Sequence, residues 1–318
     1  MVNEPILQFT CTCASSLADA LALHQGQLST QTPATTWQSS AIWQAVTDGA
    51  VYVDGKRVRD PLLPLRLGQR VAVMLAADPA RHRIDEGLLR VVHRDARMLV
   101  VAKPAGLPTQ PPPRGGDALS LRVQDLLGSQ AYLGEIHRLD RDASGLVVFA
   151  LDRVAAAGLA AQFRSHNAGR RYLAVVRTQL PVADQTIDEP IVEVAQGHMA
   201  TGANGVPAIT RVRSLGHDAE RGLALLDLQL YTGRSHQIRA HLAWAVGPIV
   251  GDRKYGDTHD LAADNGAPAR IALHGGYLAV HDPDGRRVKW TCPPPADFWP
   301  APELAALVPP DWPPPIRR

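Results

Sequence analysis

The sequence predicts an α+β fold in which a mostly antiparallel central sheet is flanked by a few helices. From Leu88 onward the pattern consists chiefly of short β-type runs. Two of these runs, Leu89–His93 and Met98–Ala102, stand on either side of a short charged turn, as the strands of a hairpin do. Helical patterns are fewer, and the clearest are Ala155–Phe163 and Ser235–Ala245.

Residues 1–80 predict a separate small module. Helices are expected at Ser16–His24 and Ser39–Thr47, followed by a hairpin that turns at Asp54-Gly55 and a closing strand in Gly68–Met74. This order of elements resembles the alpha-L RNA-binding motif, which implies a small α/β module. The module carries five Lys or Arg residues against six acids, so RNA binding and a degenerate packing role both stay open.

The rest of the chain predicts a main domain and a tail. A linker is expected at Ala76–Ile84, the main domain at 81–290, and a tail rich in proline and tryptophan at 291–318. The tail is expected to be either extended over the body or partly disordered, and Pro104–Pro113 predicts a loop. Further strands of the main domain are expected at Leu146–Ala150, Arg171–Val176 and Leu223–Tyr231.

The composition is typical of a globular protein in the cytoplasm. The chain has 318 residues, of which 45% are hydrophobic and 20% are charged, and no apolar run is long enough to span a bilayer. No basic leader precedes the first apolar residues, so no secretory signal is expected. The three cysteines cannot all pair with one another, which favours a reducing compartment. Cys11 and Cys13 lack a second dyad, so we predict no zinc site there.

The net charge of +2 is small, but the basic residues are clustered. Residues 160–178 hold four arginines and no acid, and residues 232–255 hold four basic residues and one acid. Such patches suit a phosphate backbone. A solvated basic face is the alternative for either patch taken alone.

The segment 134–151, GEIHRLDRDASGLVVFAL, has the densest charge beside a predicted core strand. Its first half contains Arg138, Asp140, Arg141 and Asp142 within five residues. Asp, Ser and Gly before a strand are common in turns, for which no function is needed. Charge of this density next to a buried strand instead favours a reactive carboxylate held on a turn.

Four sequence blocks occur in a fixed order. They are VAKPAGL (101–107), HRLDRDASG (137–145), RYLAVV (171–176) and TGRSHQIRAHL (232–242), the last followed by GPIVGDRKYG (247–256). Between Leu88 and His281 the chain therefore resembles the RNA pseudouridine synthases of the large-subunit-rRNA uridine synthase A type. The resemblance implies the pseudouridine synthase fold and isomerisation of uridine in structured RNA, either rRNA or tRNA. It implies RNA as the partner, with no cofactor, no metal and no membrane, and we expect a monomer.

The resemblance also implies roles for eight residues. Asp140 corresponds to the carboxylate that attacks C1′ or removes the 2′ proton, and both routes stay open. Tyr172 corresponds to the tyrosine that stacks on the uracil and assists proton removal at C5. Arg239 is expected to pair with Asp140, with Arg234 as the fallback. Arg138 is expected to fill the gap left by the flipped nucleotide. The other candidates for substrate binding are His236, Gln237 and Leu273.

Two other functions are kept as alternatives. One is a non-catalytic RNA-binding protein, such as a ribosome-assembly factor that retains the fold. The other is a hydrolase that releases the base. An intact Asp140 argues against the first, because a decayed site tolerates loss of its carboxylate.

We expect neither a further catalytic group nor a metal site at three other features of the sequence. Ala143 stands where a threonine is frequent in the family, away from the reacting groups. His236 and His241 are five residues apart, which does not make them neighbours on one helix face, so no metal site is predicted. The Lys103-Pro104 pair is predicted to be structural.

Overall fold

The computed structural model describes residues 7–12, 15–24, 46, 51–54, 56–58, 60–73, 89–112, 116–128, 130–195, 197–257 and 270–313. The chain divides into two compact units, Met1–Ile84 with Gln110–Arg122, and Asp85–Thr109 with Val123–Arg318. Each unit is described by itself. The domain limits expected at residues 80 and 290 stay a prediction.

Short strands and a few helices make up the described chain. The strands are β1 (Leu7–Thr10), β2 (Ser15–Ser16), β3 (Val51–Val53), β4 (Lys56–Val58), β5 (Pro64–Leu65), β6 (Arg70–Val73), β7 (Arg90–Arg94), β8 (Met98–Lys103), β9 (Gly134–Glu135), β10 (Ser144–Ala150), β11 (Gly169–Arg177), β12 (Gln185–Asp188), β13 (Ile191–Ala195), β14 (His198–Thr201), β15 (Ile209–Asp218), β16 (Leu223–Leu230), β17 (Leu273–His281) and β18 (Arg287–Thr291). The helices are α1 (Leu17–Leu23), α2 (Leu119–Leu127), α3 (Arg153–Arg164) and α4 (Gln237–Ala245). Within the described ranges, no helix combines the length and the apolarity needed to cross a membrane.

The first unit contains a small four-stranded sheet in the order β1-β6-β3-β4. β3 and β4 form the predicted hairpin, and β6 is the predicted closing strand. The first predicted helix is α1, whose N-cap Ser16 accepts a hydrogen bond from the backbone N–H of Asp19. Leu17 and Leu21 of this helix are buried in the core of the unit. The second predicted helix, apart from residue 46, and the linker at 76–84 lie outside the described residues. The resemblance to the alpha-L motif stays a prediction.

The second unit is built on a ten-stranded sheet. Its order is β12-β15-β16-β11-β17-β10-β8-β7, with β18 paired to β17 and β9 paired to β10. These pairs are antiparallel except β10 and β17, which run parallel. This is the mixed, mostly antiparallel sheet with few helices that the sequence predicts.

Strand β10 is buried over its whole length, as its apolar sequence predicts. Val147, Val148 and Phe149 are completely buried, and Leu159 of α3 packs in the same cluster as Val148. Burying one side chain of this size stabilises the fold by about 1.5–3 kcal/mol. The strand therefore gives a firm base to the charged turn that precedes it.

The predicted elements of the second unit are present, but one helix end is wrong. The β7–β8 hairpin, α3, β11 and β16 lie where the sequence places them, within two residues at each end. Helix α4 begins at Gln237 and not at Ser235, because His236 has a left-handed backbone with φ of 51°, which a helix cannot include. The sequence patterns do not indicate α2 or the strands β12 to β15, β17 and β18.

The described part of the C-terminal tail is packed. It contains two short 3-10 segments, Ala296–Phe298 and Pro302–Leu307. Phe298 is completely buried and meets the ring of His274 edge-on, with ring centroids 6.1 Å apart. Over these residues the tail covers the sheet on which His274 lies.

Candidate active site

A cavity of about 520 Å³ opens in the second unit. Its walls come from the charged turn before β10, from α3, from β11 and from the segment that leads into α4. All eight site residues that the sequence predicts line this one cavity: Arg138, Asp140, Tyr172, Arg234, His236, Gln237, Arg239 and Leu273. The structure thus brings together residues from three of the sequence blocks, 137–145, 171–176 and 232–242, with Leu273 from β17.

The turn that bears Asp140 is fixed by its neighbours. On one side, Thr109 Oγ1 donates to the carbonyl of Leu139 at 2.8 Å and accepts from the N–H of Leu139 at 3.0 Å. The backbone N–H of Ala143 donates to the carbonyl of Asp140 at 3.2 Å, which closes the turn. The Asp140 side chain keeps 24% of its surface exposed, so its carboxylate faces the cavity while its backbone is held.

Lys103 fixes the other side of the same turn. Its buried Nζ donates to the carbonyls of Pro104, Leu107 and Arg141, at 2.9, 2.7 and 2.9 Å. The pKa of Lys103 is lowered to about 7, chiefly by burial and also by the charge of Arg270, while Asp140 and Asp142 oppose the shift. Its contacts are with backbone carbonyls and not with the cavity, which agrees with the structural role predicted for the Lys103-Pro104 pair.

Arg239 is shared between two carboxylates. Its Nε and Nη2 donate to Asp252 at 2.7 and 2.8 Å, whereas its Nη1 lies 3.4 Å from Asp140 Oδ2. The predicted pairing with Asp140 is therefore present, but the shorter, bidentate partner is Asp252. Burial on its own lowers the pKa of Arg239, while the hydrogen bonds and charge of Asp252, and the charge of Asp140, raise it. The guanidinium also lies over the Tyr255 ring, with Cζ 4.8 Å from the centroid.

Arg234 and Gln237 stabilise the loop that leads into α4 through hydrogen bonds. Arg234 Nε donates to the carbonyl of Pro207 at 3.1 Å, so it does not take the place of Arg239 beside Asp140. The Gln237 amide oxygen accepts from Thr232 Oγ1 and from the N–H of Arg234, and its Nε2 donates to Thr210 Oγ1 at 2.9 Å and to a backbone carbonyl. Gln237 thus braces the wall of the cavity on which it lies.

Tyr172 enters the cavity from β11 at a bulge. The register of β11 against β17 shifts between Arg171 and Leu173, which turns the tyrosine ring toward Gly275. A Cβ at position 275 would lie 3.0 Å from Tyr172 Cε1, so glycine leaves the room that the ring needs. Burial raises the pKa of Tyr172, Arg170 lowers it and Asp140 raises it, so the phenol is neutral near pH 7.

His236 and Arg138 are two further residues of the cavity lining. His236 Nε2 is 4.0 Å from Asp140 Oδ1, and its Nδ1 is 3.0 Å from the Tyr255 hydroxyl. Arg138 is exposed and donates from Nη2 to Ser235 Oγ at 2.7 Å. Its planar guanidinium is therefore held at the rim of the cavity.

Three residues of the site are absent from the sequence-based predictions: Arg170, Asp252 and Tyr255. Arg170 is 8% exposed, lines the cavity and donates from Nη2 to the carbonyl of Thr232 at 3.0 Å. Arg170 stands two residues before Tyr172, and residues i and i+2 of a strand share a face. This spacing could have indicated that Arg170 belongs to the site. Asp252 and Tyr255 stand in the block 247–256. No spacing along the sequence indicates that this block contacts Arg239.

The cavity has a strong excess of positive charge. Its described lining includes five arginines, at 138, 164, 170, 234 and 239, and one acidic residue, Asp140. Such a wall suits a polyanion.

Within the part of the chain that the structure describes, no three His, Cys, Asp or Glu side chains are grouped to hold a metal ion. His241 points away, with its ring nitrogens on Thr210 Oγ1 and the carbonyl of Glu189. Fold and site together place one carboxylate among arginines in a cavity whose charge suits a polyanion.

Comparison with known proteins identifies the family. A family model described as RNA pseudouridylate synthase matches residues 97–244. Ribosomal large subunit pseudouridine synthase D of Xanthomonas campestris pv. campestris is 33% identical over 275 residues, 81% of this chain and 82% of that protein. Its namesake from Escherichia coli O157:H7 is 31% identical over 280 residues, 82% of this chain and 84% of that protein. The solved structure of Human RNA Pseudouridylate Synthase Domain Containing 4 matches with a TM-score of 0.54 and 27% identity, over 66% of this chain and 90% of that one. The chain therefore belongs to the RNA pseudouridine synthases, which are isomerases, as its four sequence blocks predict.

Proposed function

We propose that this enzyme converts uridine to pseudouridine in structured RNA, with Asp140 acting on the ribose of a nucleotide flipped out of its stack. The observation that supports this most directly is the place of Asp140. It is the one acid among the described residues that line the cavity, and it lies beside Arg239 and Tyr172.

The reaction needs a carboxylate and no redox partner. The C1′–N1 bond breaks, the uracil turns over, a C1′–C5 bond forms, and the proton lost from C5 is balanced by one gained at N1. The carboxylate of Asp140 either attacks C1′ or removes the 2′ proton. Arg239 Nη1, 3.4 Å from Asp140 Oδ2, places a positive charge beside the carboxylate that both routes use.

Tyr172 is proposed to stack on the uracil. Because burial raises the pKa of its phenol, the neutral ring is the form present, and this favours stacking over action as a phenolate base. Leu273, 3% exposed, closes the apolar side of the same pocket.

The arginines are proposed to bind the RNA around the target. Flipping a nucleotide costs a few kcal/mol, and the exposed guanidinium of Arg138 can stack where the base was. The names of the two bacterial relatives favour large-subunit rRNA as the substrate, with tRNA as the second RNA to test.

The test is a map of pseudouridine in cellular RNA. RNA from cells with and without the protein is chemically marked at pseudouridine and sequenced. One or a few uridines in rRNA or tRNA should lose the mark when the protein is absent, and the purified protein should restore it on an unmodified transcript. RNA binding without product would instead indicate an assembly factor, and free uracil would indicate a hydrolase.

A further inference from the structure

A chain of three hydrogen-bonding groups leads to the open side of Asp140. The backbone N–H of Met199 donates to the Tyr255 hydroxyl oxygen at 3.0 Å, and that hydroxyl lies 3.0 Å from His236 Nδ1. On its far side, the His236 ring places Nε2 4.0 Å from Asp140 Oδ1. The chain therefore runs from the backbone through a phenol and an imidazole to the reactive carboxylate.

This chain fixes the tautomer of His236. The Tyr255 oxygen accepts from the N–H of Met199, which leaves the single phenol proton to be donated to His236 Nδ1, 3.0 Å away. Nδ1 is then unprotonated, so a neutral ring carries its proton on Nε2, toward Asp140. Burial lowers the pKa of His236, Asp140 raises it and Arg239 lowers it, so the neutral ring is the form present near pH 7.

The backbone conformation of His236 helps to orient its ring toward Asp140. It is a non-glycine residue with φ of 51°, held in the left-handed region directly before α4. Backbone strain of this kind persists where the surrounding structure over-determines it, often at functional sites. Here it places the ring between Tyr255 and Asp140.

The two oxygens of Asp140 have different neighbours. Oδ2 lies 3.4 Å from Arg239 Nη1, whereas Oδ1 lies 4.0 Å from His236 Nε2, too far for a direct hydrogen bond. A group that both donates and accepts fits this gap, because it can accept from Nε2–H and donate to Oδ1. Both proposed routes bring Asp140 to C1′ or C2′, and the 2′-hydroxyl of the ribose is a group of this kind.

We infer that the 2′-hydroxyl of the target ribose bridges His236 Nε2 and Asp140 Oδ1, with Tyr255 as the positioning residue that fixes the histidine tautomer. The inference rests on the proposed function, since it places the ribose beside Asp140. It gives the site a way to distinguish a ribose from a deoxyribose at the one nucleotide that reacts.

The experiment measures binding of product RNA, so that chemistry does not enter the result. Three synthetic hairpins carry pseudouridine at the mapped position, with a 2′-hydroxyl, a 2′-hydrogen or a 2′-methoxy group. Dissociation constants are measured for the full-length wild type and for His236→Ala, His236→Gln, Tyr255→Phe and His166→Ala. His166 is the matched control, since it lines the cavity but neither hydrogen-bonds nor ion-pairs with Asp140 or Tyr255.

The wild type should bind the 2′-hydroxyl hairpin about tenfold more tightly than either of the others. A methoxy group can accept from Nε2–H but cannot donate to Oδ1, so it should not substitute for the hydroxyl. His236→Ala and Tyr255→Phe should lose most of this preference, while His236→Gln, which keeps a side-chain N–H, and His166→Ala should retain it. Unchanged binding of the 2′-deoxy hairpin by His236→Ala shows that the variant is folded.

Three results would overturn the inference. The first is an equal affinity of the wild type for all three hairpins. The second is a His236→Ala variant that prefers the 2′-hydroxyl hairpin as strongly as the wild type does. The third, which concerns only the role of Tyr255, is the same undiminished preference in Tyr255→Phe. Failure of the proposed function would give a different experimental result. The wild type would then leave the matching uridine hairpin unconverted, whatever the binding data show.

Discussion

Asp252 accepts two hydrogen bonds from Arg239, one from Nε at 2.7 Å and one from Nη2 at 2.8 Å. Both side chains are almost fully buried. Because both of these donors are engaged, the third nitrogen of the guanidinium, Nη1, is turned toward Asp140. The geometry of the reactive carboxylate therefore depends on a second carboxylate that lies behind the arginine.

Replacing Asp252 should disturb both stability and rate. Asp252→Asn leaves the buried charge of Arg239 without its main partner, so we expect the free energy of unfolding to fall by about 3 kcal/mol. We also expect the rate at saturating RNA to fall at least tenfold, because Nη1 is no longer aimed at Asp140. Urea denaturation and single-turnover conversion measure the two effects. Asp218→Asn, which breaks a pair with the half-exposed Arg221, should cost far less stability and leave the rate intact. Equal effects of the two variants would contradict this role of Asp252.

Substitutions at Tyr172 separate stacking from acid–base action. Tyr172→Ala removes the ring and should weaken RNA binding by about tenfold. Tyr172→Phe keeps the ring and should bind as the wild type does, so any loss in that variant falls on the chemical step. Tyr132→Ala, at an exposed tyrosine outside the cavity, is the control. If Tyr172→Phe bound RNA as weakly as Tyr172→Ala, the ring would not be the binding element.

A matched pair of glycine substitutions tests the space around Tyr172. In Gly275→Ala the new Cβ meets Tyr172 Cε1 at 3.0 Å, so the ring must move, and we expect a loss of activity with about 1–3 kcal/mol of destabilisation. Gly158 lies in α3, where a Cβ meets nothing within 4 Å, so Gly158→Ala should stabilise by about 0.5–1 kcal/mol with full activity. Full activity in Gly275→Ala would show that Tyr172 does not need its observed position.

The buried His274 should make stability depend on pH in the acid range. Burial lowers its pKa to about 4, against 6.5 in the unfolded chain, while its hydrogen bond to the Cys292 carbonyl opposes the shift. Between these values the unfolded chain binds the proton and the folded chain does not, so stability rises with pH there and falls as pH drops below about 6.5. The full difference between the two pKa values corresponds to about 3 kcal/mol in the free energy of unfolding.

Denaturation in urea at several pH values measures this slope. His274→Gln removes one titrating group and should reduce the slope between pH 6.5 and 4, leaving the part that comes from His137, whose pKa burial lowers to about 3. A curve for His274→Gln that is as steep as that of the wild type would contradict the assignment.

The sequence predicts those parts of the fold whose signal is local. Strand β10 is a run of apolar residues, and the β3–β4 hairpin turns at an Asp-Gly pair, so both are visible in short windows. Strand β17 contains Gly275 and Gly276, and β15 contains Gly216 and ends in a stretch of mixed polar and apolar residues, so neither gives a clear pattern over its length. The start of α4 is wrong because the left-handed backbone of His236 is set by its tertiary contacts, which propensity does not include.

The same distinction holds for the site. Asp140, Tyr172 and Arg239 could be predicted because each stands in a recognisable block, and the fold brings the blocks to one cavity. The pairing of Arg239 with Asp252, and the contact of Tyr255 with His236, join side chains across a loop and a helix end. Contacts of this kind depend on the packed structure, and no spacing along the chain indicates them.

The most direct test of the account compares two neighbouring carboxylates. Asp140→Asn and Asp142→Asn are incubated with the mapped RNA under single-turnover conditions, and pseudouridine is counted against time. Asp142 is paired with Arg141 outside the cavity lining, so its variant should convert uridine at nearly the wild-type rate. Asp140→Asn should bind the RNA and convert it more slowly by roughly a thousandfold or more. Conversion by Asp140→Asn at the wild-type rate would contradict the central claim.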